Sequence, residues 1–454
     1  MAMSQKPCDL TIAEAAAAMG EGKLSPSQLV SSCLERIDAL EDKIQAWALV
    51  DRDGALETAQ RLDQELRRGE RRGPLHGIPV GIKDIFYTAG LRTEAGSPLW
   101  SGFVPSYDAT VVVRLKEAGA IILGKTHTTE FAYLDPAPTR NPWHPEHTPG
   151  GSSSGSGAGV AAGMCLAALG SQTMGSVLRP AAYNGVVGFK PQQGRISTYG
   201  VVPLSPTLDH VGILARTVAD AALIFQAIAG HDPRDYRSLA EPVPDCLSNL
   251  ERQEAPRLGL VRQFFYEHAD AEMRAHIDSV AEHLSRAGAR VEEVTLPPSF
   301  MSIMDNARVI LAVEAAAYHE EKFGKHREQY RPGIGKLIED GLAISATEYA
   351  RALETRLEQI AGALPLLEQV DALLTPGAPG AAPKGLASTG SPVMQAPWTI
   401  MGVPAVSLPT GLSQDGLPLA IQLAGPPLAE DRLLAVARWC ERALEVRLRP
   451  PYVS

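Results

Sequence analysis

Residues 77–84 read GIPVGIKD, and residues 108–124 read DATVVVRLKEAGAIILG. The first stretch predicts a short apolar strand that ends in charge. In the second, Asp108 predicts the N-cap of a helix that continues to about Ala118, and residues 120–124 form the continuous apolar run typical of a strand buried on both faces. Because a strand, a helix and a strand follow one another, we expect an α/β fold with a mostly parallel sheet.

The sequence on either side of these stretches also has regular patterns. Residues 11–70 have a helical pattern with N-cap candidates at Thr11 and Ser25, which predicts an outer helical layer. Towards the C-terminus, strand candidates at 258–261, 290–295, 372–375, 403–408 and 417–423 alternate with helical patterns at 267–287, 302–322, 346–368 and 429–445. No linker divides them. We therefore expect an N-terminal helical layer at 1–70 packed on one domain at 71–454, with core motifs at 77–191 and a variable pocket region at about 300–400.

Composition narrows the function classes. The 454 residues carry a net charge of 42 − 52 = −10 and no block of five basic residues, which argues against a nucleic-acid partner. Five scattered cysteines without a C-x-x-C pair favour a reducing compartment and no metal site. The first ten residues lack the apolar run of a signal peptide, and no uncharged stretch reaches the roughly 20 apolar residues of a bilayer span. We expect a cytoplasmic protein with no membrane contact.

A Gly/Ser segment, GGSSSGSGAG, occupies residues 150–159. A flexible linker is the plain interpretation, but the segment leads directly into apolar residues 160–169 and a second small-residue cluster at 170–176, which favours tight turns that gather N–H groups. The lysine of a phosphate-binding P-loop is missing. Residues 151–155 fit the nucleophile elbow G-x-S-x-G around Ser153, which would need an acid and a histidine such as Asp209 and His210.

Lys83 offers a second way to activate a serine. Burial at the end of an apolar strand lowers the pKa of a lysine, and a neutral lysine accepts a proton, directly or through a second serine. A lysine at a strand end is also commonly a solvated charge. The residues alone leave the elbow and the lysine base open.

Several motifs together resemble the amidase signature family: residues 77–84, 108–126, 150–153, 175–191, 402–409 and 416–418, in order, across about residues 10–445. The resemblance implies one large α/β domain whose mixed, twisted central sheet is covered by helices on both sides. It also implies a Ser-cisSer-Lys triad with Lys83 as base, Ser152 as the bridging serine after a cis peptide bond and Ser176 as nucleophile. The family's oxyanion hole matches Thr173, Met174, Gly175 and Ser176.

The implied activity is that of an amidohydrolase, which cleaves a carboxamide C–N bond through an acyl-enzyme and releases ammonia or an amine. No metal or cofactor is implied, the expected partner is a small-molecule amide, and a homodimer is the family-level expectation. The sequence departs from the family's common Asp-Thr-Gly-Gly-Ser-Ile-Arg at Gln172, Met174 and Leu178.

The substrate is not specified by these motifs. Apolar side chains at Tyr133, Met174 and Trp398 are candidate pocket residues and favour a small or medium amide. One alternative is a glutaminase-type component of a tRNA-dependent amidotransferase complex. Another is a hydrolase of urea derivatives, similar to carboxybiuret and allophanate hydrolases.

Overall fold

The computed structural model describes residues 6–252 and 254–451. The first five residues, part of the stretch in which we expect no signal peptide, lie outside the described residues. Within the described ranges, eleven strands form one sheet. Their bounds are β1 Trp47–Val50, β2 Pro79–Lys83, β3 Ile121–Thr126, β4 Ala167–Gln172, β5 Val187–Lys190, β6 His210–Ala215, β7 Arg257–Leu260, β8 Arg290–Glu293, β9 Ala372–Pro376, β10 Ala405–Leu412 and β11 Pro418–Ala424.

The sheet is mixed. Its strand order is β1-β3-β2-β4-β6-β5-β10-β11-β9-β7-β8. The β2–β3 and β2–β4 pairs are parallel, as the strand-helix-strand pattern predicts. Six of the ten pairings in the described chain are antiparallel, however, so the expectation of a mostly parallel sheet is wrong, while the mixed sheet implied by the resemblance is confirmed. Alternation of strands and helices does not reveal direction where strands join across long connections.

Fourteen α-helices in the described ranges flank the sheet: α1 Ile12–Gly20, α2 Pro26–Ile44, α3 Arg52–Arg67, α4 Thr110–Glu117, α5 Ser154–Ala161, α6 Leu178–Asn184, α7 Val218–Ile228, α8 Phe265–His268, α9 Ala271–Arg286, α10 Ile303–His326, α11 Pro332–Ala343, α12 Ala346–Gln369, α13 Ala396–Ile400 and α14 Glu430–Leu444. Helices α5 and α6 contact each other, α7 contacts α4 and α14, and α10 packs against α11 and α12. In the described part of the chain, no helix is long and apolar enough to cross a bilayer.

Local signals explain the helix starts. Thr11 and Ser25 each accept a hydrogen bond from the third residue of the helix and complete a capping box. Asp108 is not an N-cap: Ala109 holds that position, and the Asp108 carboxylate instead accepts hydrogen bonds from the backbone N–H of Ala89 and the ammonium of Lys116.

Residues 11–70, which have a helical sequence pattern, also include the strand β1, which the periodicity of the sequence does not indicate. Strand β1 pairs antiparallel with β3 at one edge of the sheet. The close approach of the β1 backbone to β3 requires glycine at position 124, where φ is +148° and a Cβ would lie 2.1 Å from the carbonyl oxygen of Leu49. Strands β2, β3 and β4 are buried along their whole lengths, and the candidate site lies at the ends of β2 and β4.

Candidate active site

Lys83 is the last residue of β2 and is fully buried. Its Nζ donates hydrogen bonds to Ser152 Oγ at 2.7 Å and to Ser171 Oγ at 2.8 Å. Burial holds the pKa of Lys83 well below its usual value; the negative charge of Asp209 opposes this shift and the positive charge of Arg179 adds to it. A lysine with a strongly lowered pKa can be neutral near pH 7 and accept a proton.

A second buried lysine on the neighbouring strand shows the contrast. Lys125 forms an ion pair with Asp84 at 3.3 Å and donates hydrogen bonds to the carbonyl oxygen of Phe86 and to Thr93 Oγ1, both at 2.7 Å. Burial lowers the pKa of Lys125 to about 8, although Asp84 opposes the shift. Lys125 is thus a charge with a counterion, whereas Lys83 contacts two hydroxyl groups. That difference suits Lys83 to proton transfer and Lys125 to structure.

Ser152 lies in the turn that precedes α5. The Gly151–Ser152 peptide bond is cis, and Ser152 is fully buried. A Cβ on Gly151 would lie 2.7 Å from Thr389 Cγ2, so position 151 has room only for glycine. Ser154 Oγ donates to the carbonyl oxygen of Gly150 at 2.8 Å and closes the turn. These contacts hold the Ser152 hydroxyl beside Lys83.

The loop that carries Ser176 is held by the side chain of Gln172. Its Oε1 accepts hydrogen bonds from the backbone N–H groups of Val177 at 2.9 Å and Leu178 at 3.0 Å, and its Nε2 donates to Thr399 Oγ1 at 2.9 Å. The departure from the family's usual acid at position 172 therefore leaves a side chain that still binds the loop. Sequence reasoning missed this role of Gln172.

Ser176 lies in the loop that connects β4 to α6. Its carbonyl oxygen accepts a hydrogen bond from Ser153 N at 3.3 Å, which brings the Ser176 loop against the Ser152–Ser153 turn. Ser176 is buried, with 7% of its surface exposed. A Cβ at Gly175 would lie 2.9 Å from Gln395 Oε1, which explains glycine there. Lys83, Ser152 and the Ser176 loop thus come together.

Arg179 adds a positive charge to this region. The side chain is buried, and its Nη2 donates to the carbonyl oxygen of Gly151 at 2.7 Å and to Thr389 Oγ1 at 3.0 Å. No carboxylate lies within 4 Å of it in the described part of the chain, and burial lowers the pKa of Arg179 to about 10. The uncompensated charge favours neutral Lys83.

The residues of the candidate nucleophile elbow, Ser153, Asp209 and His210, do not form a catalytic triad. Ser153 Oγ donates to the carbonyl oxygen of Ser171 and accepts from Ser171 N, both at 3.3 Å, so its hydroxyl binds strand β4. The Nδ1 of buried His210 contacts the carbonyl oxygen of Leu208 at 2.7 Å, and burial holds the pKa of His210 well below its usual value. Asp209 accepts a hydrogen bond from Thr173 Oγ1 at 2.5 Å and does not orient His210.

A cavity of about 300 Å³ is lined in part by Ser171, the residue whose Oγ accepts a hydrogen bond from Lys83 Nζ, while Lys83, Ser152 and Ser176 are not among its lining residues. Thr173 and Asp209 also line it, as do residues 198–199, 201–204, 206 and 234–237. The predicted pocket residues Tyr133, Met174 and Trp398 are not among these walls, although the neighbours Ala132 and Thr173 are.

Trp398 lies in the core. Its ring is fully buried and stacks on Phe265 with a centroid distance of 5.5 Å and an interplanar angle of 8°. Met174 is partly exposed, and its carbonyl oxygen accepts a hydrogen bond from Thr399 Oγ1 at 3.2 Å. Tyr133 is partly buried, which raises the pKa of its phenol. Across the described ranges, no cluster of three or more His, Cys, Asp or Glu side chains could hold a metal ion.

This fold and this serine-lysine arrangement are those of a hydrolase that acts on amide C–N bonds. The family model named Amidase matches residues 28–434, and the chain belongs to this family, the amidase signature enzymes.

Three similar proteins illustrate the relationship. A glutamyl-tRNA(Gln) amidotransferase subunit from Synechococcus sp. (strain WH7803) is 38% identical over 97% of this chain and 99% of its own. A solved structure from a vestigial protein complex connected with the origins of an s-triazine catabolic enzyme has a TM-score of 0.91 at 29% identity and covers 97% of this chain and 100% of its own. Peptide amidase from Stenotrophomonas maltophilia has a TM-score of 0.87 at 32% identity, with coverage of 98% and 99%.

These relatives correct one expectation. The prediction of a small-molecule partner and no nucleic acid is wrong, because the curated relatives are subunits of an amidotransferase whose name includes a tRNA. The physical reason is that a net charge of −10 averages over the whole chain. It excludes neither a local contact nor one made through another protein of a complex.

Proposed function

We propose that the chain hydrolyses a carboxamide through Ser176, Ser152 and Lys83. The observation that carries this proposal is the buried Lys83, whose Nζ lies 2.7 Å from Ser152 Oγ and has no counterion of its own among the described residues. Neutral Lys83 takes the Ser152 proton while Ser152 takes the proton of Ser176, whose Oγ attacks the carbonyl carbon.

The remaining steps use the same groups. Backbone N–H groups of Thr173, Met174, Gly175 and Ser176 stabilise the oxyanion of the tetrahedral intermediate, at typically about 3 kcal/mol per donor. The protonated Lys83 then returns its proton through Ser152 to the leaving nitrogen, and ammonia or an amine departs. Water repeats the sequence on the acyl-enzyme and releases the acid.

In finer terms, the chain is the glutaminase-type component of a tRNA-dependent amidotransferase, which releases ammonia from glutamine for transfer within a complex. Support comes from curated relatives of this name that are 36–38% identical over 94–98% of the chain. A hydrolase of urea derivatives is the second candidate, supported by the TM-score of 0.91 to the protein connected with s-triazine catabolism.

The test measures ammonia release by the full chain and by Ser176→Ala, Lys83→Met and Ser153→Ala. Glutamine, simple primary amides and biuret-type amides are supplied, with and without the other amidotransferase subunits and glutamyl-tRNA(Gln). We expect losses of at least about a thousandfold for Ser176→Ala and Lys83→Met and a much smaller change for Ser153→Ala.

The outcomes separate the proposals. Turnover that survives Lys83→Met but not Ser153→Ala would refute the lysine mechanism in favour of the elbow. Turnover of simple or biuret-type amides without any glutamine activity, even with the other subunits present, would refute the glutaminase assignment and leave the amide hydrolase in place.

A further inference from the structure

We propose that Glu314 of helix α10 is a positioning residue for the loop that carries Ser176, and that it acts through the turn at residues 204–209 and the carboxylate of Asp209. The inference rests on the proposed function and adds to it a residue that no motif of the sequence indicates. Three sets of hydrogen bonds connect Glu314 with the proposed oxyanion hole.

The first set joins the Glu314 carboxylate to the turn. Its Oε2 accepts hydrogen bonds from Ser205 Oγ at 2.6 Å and from the backbone N–H of Thr207 at 2.9 Å, and its Oε1 accepts one from the hydroxyl of Thr207. Oε1 also accepts from Tyr349 Oη of α12 at 2.8 Å, so a second helix fixes the carboxylate. Hydrogen bonds to a carboxylate are roughly twice as strong as those between neutral groups, so Glu314 holds the turn firmly.

The second set lies within the turn and holds Asp209. Residues 204–209 form no helix or strand, so the path of this backbone depends on the individual contacts that it makes. Asp209 Oδ2 accepts hydrogen bonds from the N–H groups of Leu204 at 2.9 Å and Ser205 at 3.1 Å, and the N–H of Asp209 donates to the carbonyl oxygen of Ser205 at 2.8 Å. Because Glu314 binds Ser205, a shift of that residue would also shift the Asp209 carboxylate.

The third set joins Asp209 to the loop. Asp209 Oδ1 accepts a hydrogen bond from Thr173 Oγ1 at 2.5 Å, and Thr173 directly follows β4 as the first residue of the proposed oxyanion hole. At the other end of the loop, Gln172 Oε1 accepts hydrogen bonds from the N–H groups of Val177 and Leu178. Side chains thus fix both ends of the loop, and Asp209 is the one that Glu314 holds through the turn.

The position of this loop matters to the rate because oxyanion donors must lie about 2.7–3.1 Å from the developing charge. A misplacement of about 1 Å can lower the rate about a hundredfold even when its cause lies far from the reacting atoms. Ground-state binding of the substrate depends less on these donors, so a displaced loop lowers kcat more than it raises KM. A glutamate that only stabilised the fold would change neither constant.

The test measures kcat and KM for ammonia release by the parent, Glu314→Gln and Glu441→Gln. The substrate is whichever of glutamine, acetamide and biuret the parent hydrolyses fastest, with the other amidotransferase subunits and glutamyl-tRNA(Gln) present. Glu314→Gln keeps the shape of the side chain but leaves one acceptor oxygen where the turn uses two. We expect kcat to fall about tenfold or more while KM stays within about twofold.

Glu441 of α14 is the matched control. Its carboxylate is also half-buried and accepts hydrogen bonds from Val218 N at 2.9 Å and from Arg438 Nη1 at 2.8 Å. Glu441→Gln should therefore lower the midpoint of thermal unfolding as Glu314→Gln does, with kcat close to the parent.

A double-mutant cycle tests the route of the effect. Thr173→Val keeps the shape and the backbone N–H of Thr173 but removes the hydroxyl that Asp209 accepts. If Glu314 acts through Asp209 on Thr173, Glu314→Gln lowers kcat about tenfold in the parent and less than about twofold in the Thr173→Val background, since the two side chains then belong to one connected set.

Hydrogen exchange of the peptide that covers residues 173–178 gives a measurement independent of turnover. We expect exchange there to be about tenfold faster in Glu314→Gln than in the parent, and unchanged in Glu441→Gln. If the parent hydrolyses an amide and Glu314→Gln changes neither kcat nor this exchange, or if the two losses multiply in the double variant, the positioning role of Glu314 is overturned while the proposed function stands. If no amide is hydrolysed under any condition but exchange at residues 173–178 rises in Glu314→Gln, the proposed function fails and Glu314 still positions the loop.

Discussion

Replacing Gln172 by Met should damage the Ser176 loop more than the rest of the fold. The change keeps the length of the side chain but leaves the buried N–H groups of Val177 and Leu178 without an acceptor. Each unpaired buried donor costs about 1–3 kcal/mol, so we expect the free energy of unfolding to fall by about 2–6 kcal/mol. Because residues 173–176 are the proposed oxyanion donors, we expect kcat also to fall about a hundredfold, as it does when one oxyanion donor is lost.

The matched control is Gln359→Met. Gln359 is equally buried and makes hydrogen bonds to Ser299, Ser302 and Asn306, away from the triad. Urea titration should show a comparable loss of stability with kcat close to the parent. If Gln172→Met and Gln359→Met lose stability equally and both keep full kcat, Gln172 does not position the Ser176 loop.

The remaining predictions concern proton transfer and pocket size. Since Lys83 must be neutral to act as the base in the proposed mechanism, we expect kcat/KM to rise with pH through the pKa of Lys83. Arg179→Met removes a positive charge that lowers this pKa and moves the acid limb of the pH profile to higher pH, whereas Asp209→Asn removes a negative charge that raises it and moves the limb to lower pH. Shifts in the same direction would contradict this. Met174→Gly should raise kcat/KM for benzamide relative to acetamide by about tenfold, and an unchanged ratio would place Met174 away from the acyl group.

Much of the architecture is predictable because it depends on local pattern. The apolar runs that precede Lys83 and Thr126 indicate β2 and β3, and the resemblance to the amidase signature family brings Ser152 and Ser176 into one hypothesis with Lys83. These features lie within a segment of about a hundred residues, in which neighbouring elements pack together. The strand β1 escapes prediction because its four residues, of which Trp47 is buried and the other three are half-buried, lie between two helices and carry too little periodicity.

The features that sequence reasoning misses depend on long-range packing. Ser171 meets Lys83 because β2 and β4 pair in parallel with Ile82 opposite Leu169, a register that neither strand contains by itself. Arg237 lies 66 residues beyond Ser171, and only the folded chain places both on the wall of one cavity. The prediction that Trp398 lines the pocket fails because an aromatic residue beside a Pro/Gly loop has the same pattern in a core as in a pocket.

The burial of Lys83 also links proton binding to folding. Its pKa is lowered in the folded chain and near 10.4 in the unfolded one, so between these values the unfolded chain holds one more proton, and the free energy of unfolding rises with pH there. Between these two pKa values the native protein therefore surrenders a proton that the unfolded chain would keep. Lys125, beside Asp84, retains a counterion. The residue best placed for catalysis is thus one that weakens the fold, and its neighbours must compensate for it.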